Sequence, residues 1–443
     1  DGLRPILPTA FNTGQQFLNF LNYLTINAPL HVENSDFNTL KYKYAAVSTD
    51  LGTGDLIILR EGSLSKAMRA SSSISFLLEP VRMDTMLLVD GGVVANVPTQ
   101  PAREIGGDYV IAVNATSPLK SREQLNDPLT IADQLVSIPM SMVTKENLKY
   151  ADITITPDLG EKSNDDFTDF EKLIDLGYQA TIDQIQYIKE DLLKTSLSKT
   201  DQEPLFFENV VPYSNNSELE LQITSMFADY DSVNSGDILI ELGKHIYSGD
   251  YEFITATVIT EGRSAIIKLD YMLKPDIKAI DVDGVESIDL NTVYSILEPL
   301  YQSPYNTKKV SNYLIELLRY YRSKGLSLAD VESVGFDEFS GVLNITINEG
   351  IINSLRVQGN TKTQEDVILR EFPLKEKEYF KAHNLFKGLK NLRTTGIFKS
   401  IDVEITDSEN GKDVTIVVEE KISTLARFGL KINNERYVQF SVD

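Results

Sequence analysis

Residues 86–98 read MLLVDGGVVANVP: an apolar run, Met86-Leu87-Leu88-Val89, drives straight into Asp90, and Gly91 and Gly92 follow. A carboxylate at the end of a short buried strand can take a proton from a neighbouring hydroxyl, the work of a general base. The same letters also spell a hairpin turn, because Asp-Gly and Gly-Gly tolerate φ > 0. The chain beyond them favours chemistry. It does not return as an alternating partner strand but leaves through Asn96 to Pro98 and Thr99, which open a helical pattern running to Ile105, closed by Gly106-Gly107. Beside a reactive carboxylate the glycines have a second use, since without a Cβ they let backbone and substrate come close. In open α/β sheets such sites lie at the carboxyl ends of strands, where Asp90 falls.

Other chemistry is thinly represented. Cysteine is absent, which removes disulfides and thiolate metal sites and is compatible with an oxidising compartment without proving one. His31, His245 and His383 are too scattered to suggest a metal site. The acidic runs around 164–171 and 402–420 read as solvated faces and lack the Asp/Asn/Gly spacing of a calcium loop. A net charge of −23 and a pI near 4.6 disfavour nucleic acid as a partner, because phosphate binding needs Lys and Arg to displace counterions. No stretch reaches the about 18 to 20 apolar residues of a membrane helix. The chain begins at Asp1 with no signal peptide, which predicts a fragment or a processed form.

The elements that must position Asp90 lie in residues 1 to about 195. At 443 residues the chain is too long for one ordinary domain, and 42% apolar with 24% charged residues marks it as globular. TGQQFLNFLNYLT (13–25) puts Phe17, Phe20, Leu21 and Leu24 on one helical face. YKYAAVST (42–49) and DLIILRE (55–61) read as strands around a turn, and MLLV as a short buried strand. DYVIAVNA (108–115) has the continuous β-branched character of a parallel sheet, and YADITITP (150–157) repeats it. One long helix is expected over about 166–195. Helices interleaved with apolar strands indicate an α/β layer domain.

A polar segment, SLSKTDQEPL (196–205), reads as a linker, and the chain then repeats itself. Ile280-x-Val282-x-Gly284 matches Leu355-x-Val357-x-Gly359, and LNITINEG (343–350) matches VTIVVEEK (414–421). Gly249-x-Tyr251-x-x-Ile254 aligns with Gly396-x-Phe398-x-x-Ile401. Three β-α-α-β-β units follow, over 206–275, 276–350 and 351–421; in the last the elements fall at about 364–371, 380–395, 398–406 and 413–421. In residues 422–443, Ala426, Phe428, Leu430 and Ile432 alternate with polar positions before the turn signal Asn433-Asn434, after which Val438, Phe440 and Val442 alternate again.

The first 195 residues resemble the patatin-like phospholipase family, from the middle of its domain to its end. FNTLKYKYAAVSTDLGTGDLIILREGSLSKAMRASSSI, LLVDGGVVANVPTQPAREIGGDYVIAVN and YADITITPDLGEKSNDDFTDFEKLIDLG carry the resemblance. It implies a lipid acyl hydrolase with a Ser-Asp dyad, Asp90 as the catalytic aspartate, Gly91 and Gly92 as motif glycines beside the site, and no metal or organic cofactor. Residues 206–421 resemble POTRA domains, the periplasmic modules of outer-membrane assembly proteins of the BamA/TamA kind, and residues 422–443 resemble the first strands of the barrel that follows them. This implies an outer-membrane protein whose soluble part lies in the periplasm or at the cell surface, a phospholipid or other lipid ester substrate, and β-strand clients at POTRA edges. An alternative implication is an idle patatin domain in an assembly or interaction factor.

The family places its nucleophile in a Gly-x-Ser-x-Gly elbow, preceded by a Gly-rich loop; neither occurs in these residues. The nearest match, GLSLA (325–329), lacks the last glycine and falls in the second repeat, so Ser327 is expected to cap or line a turn. Ser71, Ser72, Ser73 and Ser75 correspond to a stretch that packs near the family's site and is not its elbow. The chain therefore reads as truncated at both ends. With no histidine between serine and aspartate, Asp90 must take the proton itself. A free Asp, with a pKa of about 3.9, is a weak base, so burial would have to raise it.

Overall fold

The computed structural model describes residues 10–29, 35–75, 77–160, 162, 168–198, 206–207, 209–213, 233–261, 264–421, 428–432 and 438–442. His31 and the first half of the 164–171 acidic run lie outside the described residues.

The N-terminal unit opens with α1 (Gln15–Ile26), followed by β1 (Ser35–Asp36), β2 (Ala46–Asp50), β3 (Leu56–Leu59), β4 (Glu61–Gly62), α2 (Leu64–Ser71), β5 (Val81–Met83) and β6 (Met86–Asp90). Four of these strands form a sheet in the order β3-β2-β6-β5, every pair antiparallel, and β1 pairs with β4. Its core gathers Phe37, Ala46, Leu59, Ala67, Ala70 and Leu88. Short helices α3 (Gly92–Ala95) and α4 (Thr99–Glu104) follow, then β7 (Ile111–Val113), α5 (Pro128–Asn147), β8 (Ile153–Ile155), α6 (Phe170–Ile182) and α7 (Ile185–Ser198). β7 and β8 are parallel, as their β-branched runs predict.

Three expectations are corrected here. The 108–115 run yields only three paired residues, and Ile111 and Val113 are exposed while Ala112 is buried, so β7 is covered on one face rather than two. The helix expected over 166–195 is two helices, broken where β-branched Thr181-Ile182 meets Asp183, a residue that competes for its own backbone. On α1, Leu21 is buried but Phe20 and Leu24 are exposed; the inward stripe is Leu21, Asn22, Thr25 and Ile26.

The repeats follow. The first comprises β9 (Phe206–Phe207), β10 (Asn209–Tyr213), β11 (Val233–Asn234), α8 (Ser235–Ser248), β12 (Tyr251–Glu261) and β13 (Ser264–Leu273). The second comprises β14 (Ala279–Asp283), α9 (Leu290–Leu297), α10 (Thr307–Ser323), β15 (Asp330–Asp337) and β16 (Val342–Asn348). The third comprises β17 (Ile352–Gln358), α11 (Glu365–Leu369), α12 (Ala382–Thr394), β18 (Phe398–Ser408) and β19 (Gly411–Glu420). Each builds one three-stranded sheet, β10-β13-β12, β14-β16-β15 and β17-β19-β18, its outer pairs one parallel and one antiparallel. The sequence matches have a structural cause. Ile280 and Val282 pair with Leu343 and Ile345, as Leu355 and Val357 pair with Val414 and Ile416. Gly284 (φ 78°) and Gly359 (φ 87°) follow the first strand of the second and third repeats, where a Cβ would stand 2.0 Å from the Ile347 carbonyl oxygen and 2.2 Å from that of Val418. Only glycine fits either position.

The second and third repeats are joined tightly. The Ser327 hydroxyl accepts from the Ala382 N–H (3.1 Å) and the Ser327 N–H donates to the Phe380 carbonyl (3.3 Å), so Ser327 ties two repeats together. Lys412, buried, pairs with Asp330 of the second repeat and Asp407 of the third. Asp407, with Asp402 on Lys66, corrects the reading of the 402–420 acids as merely solvated.

The expected linker 196–205 begins inside α7, and 199–205 lie outside the described residues. In the tail, β20 (Phe428–Ile432) and β21 (Val438–Val442) pair antiparallel with each other and with no other described strand, and the described residues form no closed barrel.

Candidate active site

β6 delivers Asp90 as its last residue, and three hydrogen bonds fix it. Its N–H donates to the Ser73 carbonyl (3.1 Å), its carbonyl accepts from the Thr49 hydroxyl (3.1 Å), and its carboxylate Oδ1 accepts from the Gly92 N–H (2.8 Å). The strand then becomes α3 without a hairpin. Gly91 has φ −64°, right-handed and not the positive φ of a two-residue turn, and its carbonyl accepts from the Val94 and Ala95 N–H groups. The hairpin that β6 does form lies earlier, with β5 between Met83 and Met86, where Asp84 takes φ 51°.

The glycines are explained by close approach. A Cβ on Gly91 would lie 2.6 Å from the Val47 carbonyl oxygen, in the neighbouring strand β2. On Gly92 it would lie 3.0 Å from both Asn96 Oδ1 and Met140 Cε and 3.1 Å from Asp90 Oδ1. Gly91 thus seats the strand end against β2, and Gly92 leaves room beside the carboxylate. Because the Gly91 clash is with backbone, Gly91→Ala is expected to cost about 1–3 kcal/mol of stability, the usual range for overpacking. Urea titration followed by circular dichroism measures it, and an unchanged midpoint counts against the close approach.

Electrostatics separate two aspartates on adjacent strands. Burial pushes the Asp90 carboxyl above the ordinary range, and the Gly92 N–H only partly opposes this. Asp50, one strand away, accepts from the Leu87 N–H (3.0 Å) and the Gly52 N–H (3.1 Å), which hold its pKa below the ordinary range. Asp50 is a fixed anion bracing the β2–β3 turn. Asp90 is a carboxylate made more basic by its surroundings, the direction a general base needs.

Sequence reasoning missed two neighbours. Ser48 is the register partner of Asp90 across β2 and β6, fully buried, its hydroxyl without a hydrogen-bond partner among the described residues. Thr49 holds the Asp90 carbonyl. Only the strand register could have revealed either. Of the four serines near 71–75, Ser73 touches Asp90 through its backbone, while its hydroxyl engages Arg69; no described serine hydroxyl bonds the carboxylate. Ser327 lies in the repeats, at the junction described above. Among the described residues, no group of three or more His, Asp or Glu could hold a metal ion.

Two family models match the chain. One described as patatin-like phospholipase matches residues 2–103, which include Asp90, and the POTRA model, described as surface antigen variable number repeat, matches 351–421. An uncharacterized NTE family protein of Mycobacterium bovis is 53% identical over 55 residues, 12% of this chain and 9% of its own length. A second such protein from the same organism is 37% identical over 75 residues, 17% of this chain and 21% of its own length. Patatin-like phospholipase domain-containing protein 6 of Mus musculus is 28% identical over 163 residues, 36% of this chain and 11% of its own length. The chain thus spans no more than about a fifth of the length of these relatives. Among solved structures, the N-terminal domain of Omp85 from Thermosynechococcus elongatus aligns at 16% identity with a TM-score of 0.38, covering 50% of this chain and 100% of that one.

Proposed function

This chain joins a patatin-like phospholipase domain to POTRA-like repeats, and from that premise we propose that it is part of a lipid acyl hydrolase in which Asp90 is the general base. The observation that carries the reading is the state of the carboxylate. It stands at the carboxyl end of a strand, Oδ1 is held by the Gly92 N–H, and burial makes it more basic than a free Asp. The nucleophile is a serine supplied by polypeptide outside these 443 residues. Within these residues α5 (Ile131, Leu135, Ile138, Met142) and α6 (Phe170, Ile174, Tyr178, Ile182) carry exposed apolar stripes, the kind of surface that marks an interaction site.

The proton runs from the serine hydroxyl to Asp90 Oδ2, the oxygen that the Gly92 N–H does not hold, while the serine oxygen attacks the ester carbonyl carbon. Collapse of the tetrahedral intermediate breaks the bond to the leaving alcohol, which takes the proton back. Water, deprotonated by the same carboxylate, then frees the fatty acid and restores the serine. The substrate class is a phospholipid or related lipid ester. The repeats tether this unit to an outer-membrane barrel that the β20–β21 ladder begins.

The test compares the complete protein with residues 1–443 on a fluorogenic fatty-acyl ester and a fluorophosphonate probe. The complete protein is expected to turn over and to be labelled at serine; the 443-residue chain is expected to do neither. Serine-dependent turnover by the 443-residue chain overturns the reading. A second reading, a strand-binding interaction factor, draws on the free edge of the second repeat, where Glu332 to Gly335 of β15 are exposed. A complete protein without hydrolase activity favours it.

A further inference from the structure

In the third repeat the corresponding edge strand, β18, is covered by the N-terminal unit. Gln15 at the start of α1 places its amide on the backbone of Ile401: Nε2 donates to the carbonyl (2.7 Å) and Oε1 accepts from the N–H at 3.5 Å. The next outward N–H, that of Val403, donates to Asp402 Oδ1 (2.9 Å), and Asp402 Oδ2 is held by Lys66 of α2 (2.7 Å), which also reaches Glu404 (3.5 Å). Behind this, Tyr23 packs edge-on against Phe386 of α12 with ring centroids 5.3 Å apart, and Ile26 enters the third repeat's core. Two successive ladder positions of an edge strand are thus satisfied by side chains, one from another unit and one braced by it.

Edge strands with free N–H and C=O groups pair with added strands unless something blocks them. We propose that β18 is a strand-accepting edge whose resident occupant is the α1–α2 face of the N-terminal unit, so that a β-strand client and that unit compete for it. The competition requires neither a nucleophile nor hydrolase activity. Lys66 and Gln15 are the releasable part of the cap: charge reversal at Lys66 sets like charges against Asp402 and Glu404, and loss of Gln15 uncovers the Ile401 backbone.

The test uses the full 443-residue chain, whose lack of cysteine makes paired cysteines selective. Tyr23→Cys/Phe386→Cys is joined by a short bismaleimide to lock the cap. A ten-residue peptide of alternating valine and threonine, carrying a benzophenone, is then photocrosslinked and its sites mapped. Labelling within 398–408 is expected to be at least tenfold higher in Gln15→Ala/Lys66→Glu, and in the cysteine pair before joining, than in the locked protein. Failure of the cysteines to join, or equal labelling of locked and open forms, overturns the proposal.

Discussion

Asn in place of Asp90 is expected to lower lipid ester hydrolysis by the complete protein about 10²- to 10⁴-fold, the usual contribution of a positioned general base. The amide has nearly the same shape, and its oxygen can still accept from the Gly92 N–H, so the fold persists and proton acceptance alone is lost. Retention of more than about a tenth of the activity by a folded variant lies outside that range and makes Asp90 a structural residue. A second readout separates base from brace. Since burial raises the Asp90 carboxyl in the folded chain, its favourable contribution to stability is complete below the unfolded pKa of about 3.9 and is lost as pH rises through the higher folded value. Asn has no such loss. The variant is therefore expected to melt above the wild type at pH 7, with the gap closing as pH falls toward 3. A functional carboxylate held at the expense of stability behaves this way. A variant that melts lower at pH 7 identifies the carboxylate as a structural anion of the Asp50 kind.

What could be read in the sequence was local. The third repeat's elements fall within two or three residues of expectation because each carries its own period, and the matched glycines Gly284 and Gly359 mark one backbone requirement met twice. At Asp90 the decision between hairpin and strand-to-helix passage was also local: Pro98 and the helical pattern beyond it left β6 no returning partner in sequence. What failed depended on distant chain. Phe20 and Leu24 fit a helical face, but the face that α1 buries is chosen by what it meets, and Ile26 meets the third repeat, more than 300 residues away. Period cannot say that β6 lies antiparallel to β2, so Ser48 opposite Asp90 was invisible. Acidic composition likewise cannot tell a solvated run from Asp402 and Asp407, each claimed by a lysine from another element.

Lys412→Met is expected to destabilise the third repeat by about 3 kcal/mol, the lower end of the cost of leaving a buried partner charge unpaired. Lys412 lies at the start of β19, its side chain 5% exposed, between Asp330 (22% exposed) and Asp407 (58% exposed). Asp407 can turn to water when the ammonium is lost. Asp330 cannot do so as freely: burial already pushes its carboxyl up, with Lys412 the main opposing influence, and methionine offers it no hydrogen bond. The cost should be smaller than for a fully buried pair because Asp330 keeps some solvent. It should also be repaired by Lys412→Met/Asp330→Leu, which removes both charges from the junction. Native-state hydrogen exchange at Val414 and Ile416, buried neighbours on β19, reads the change directly. A single variant within about 1 kcal/mol of wild type, the ordinary worth of an exposed pair, shows that water already screens the junction. A double variant no better than the single one shows that Lys412 acts through its packed methylenes rather than its charge.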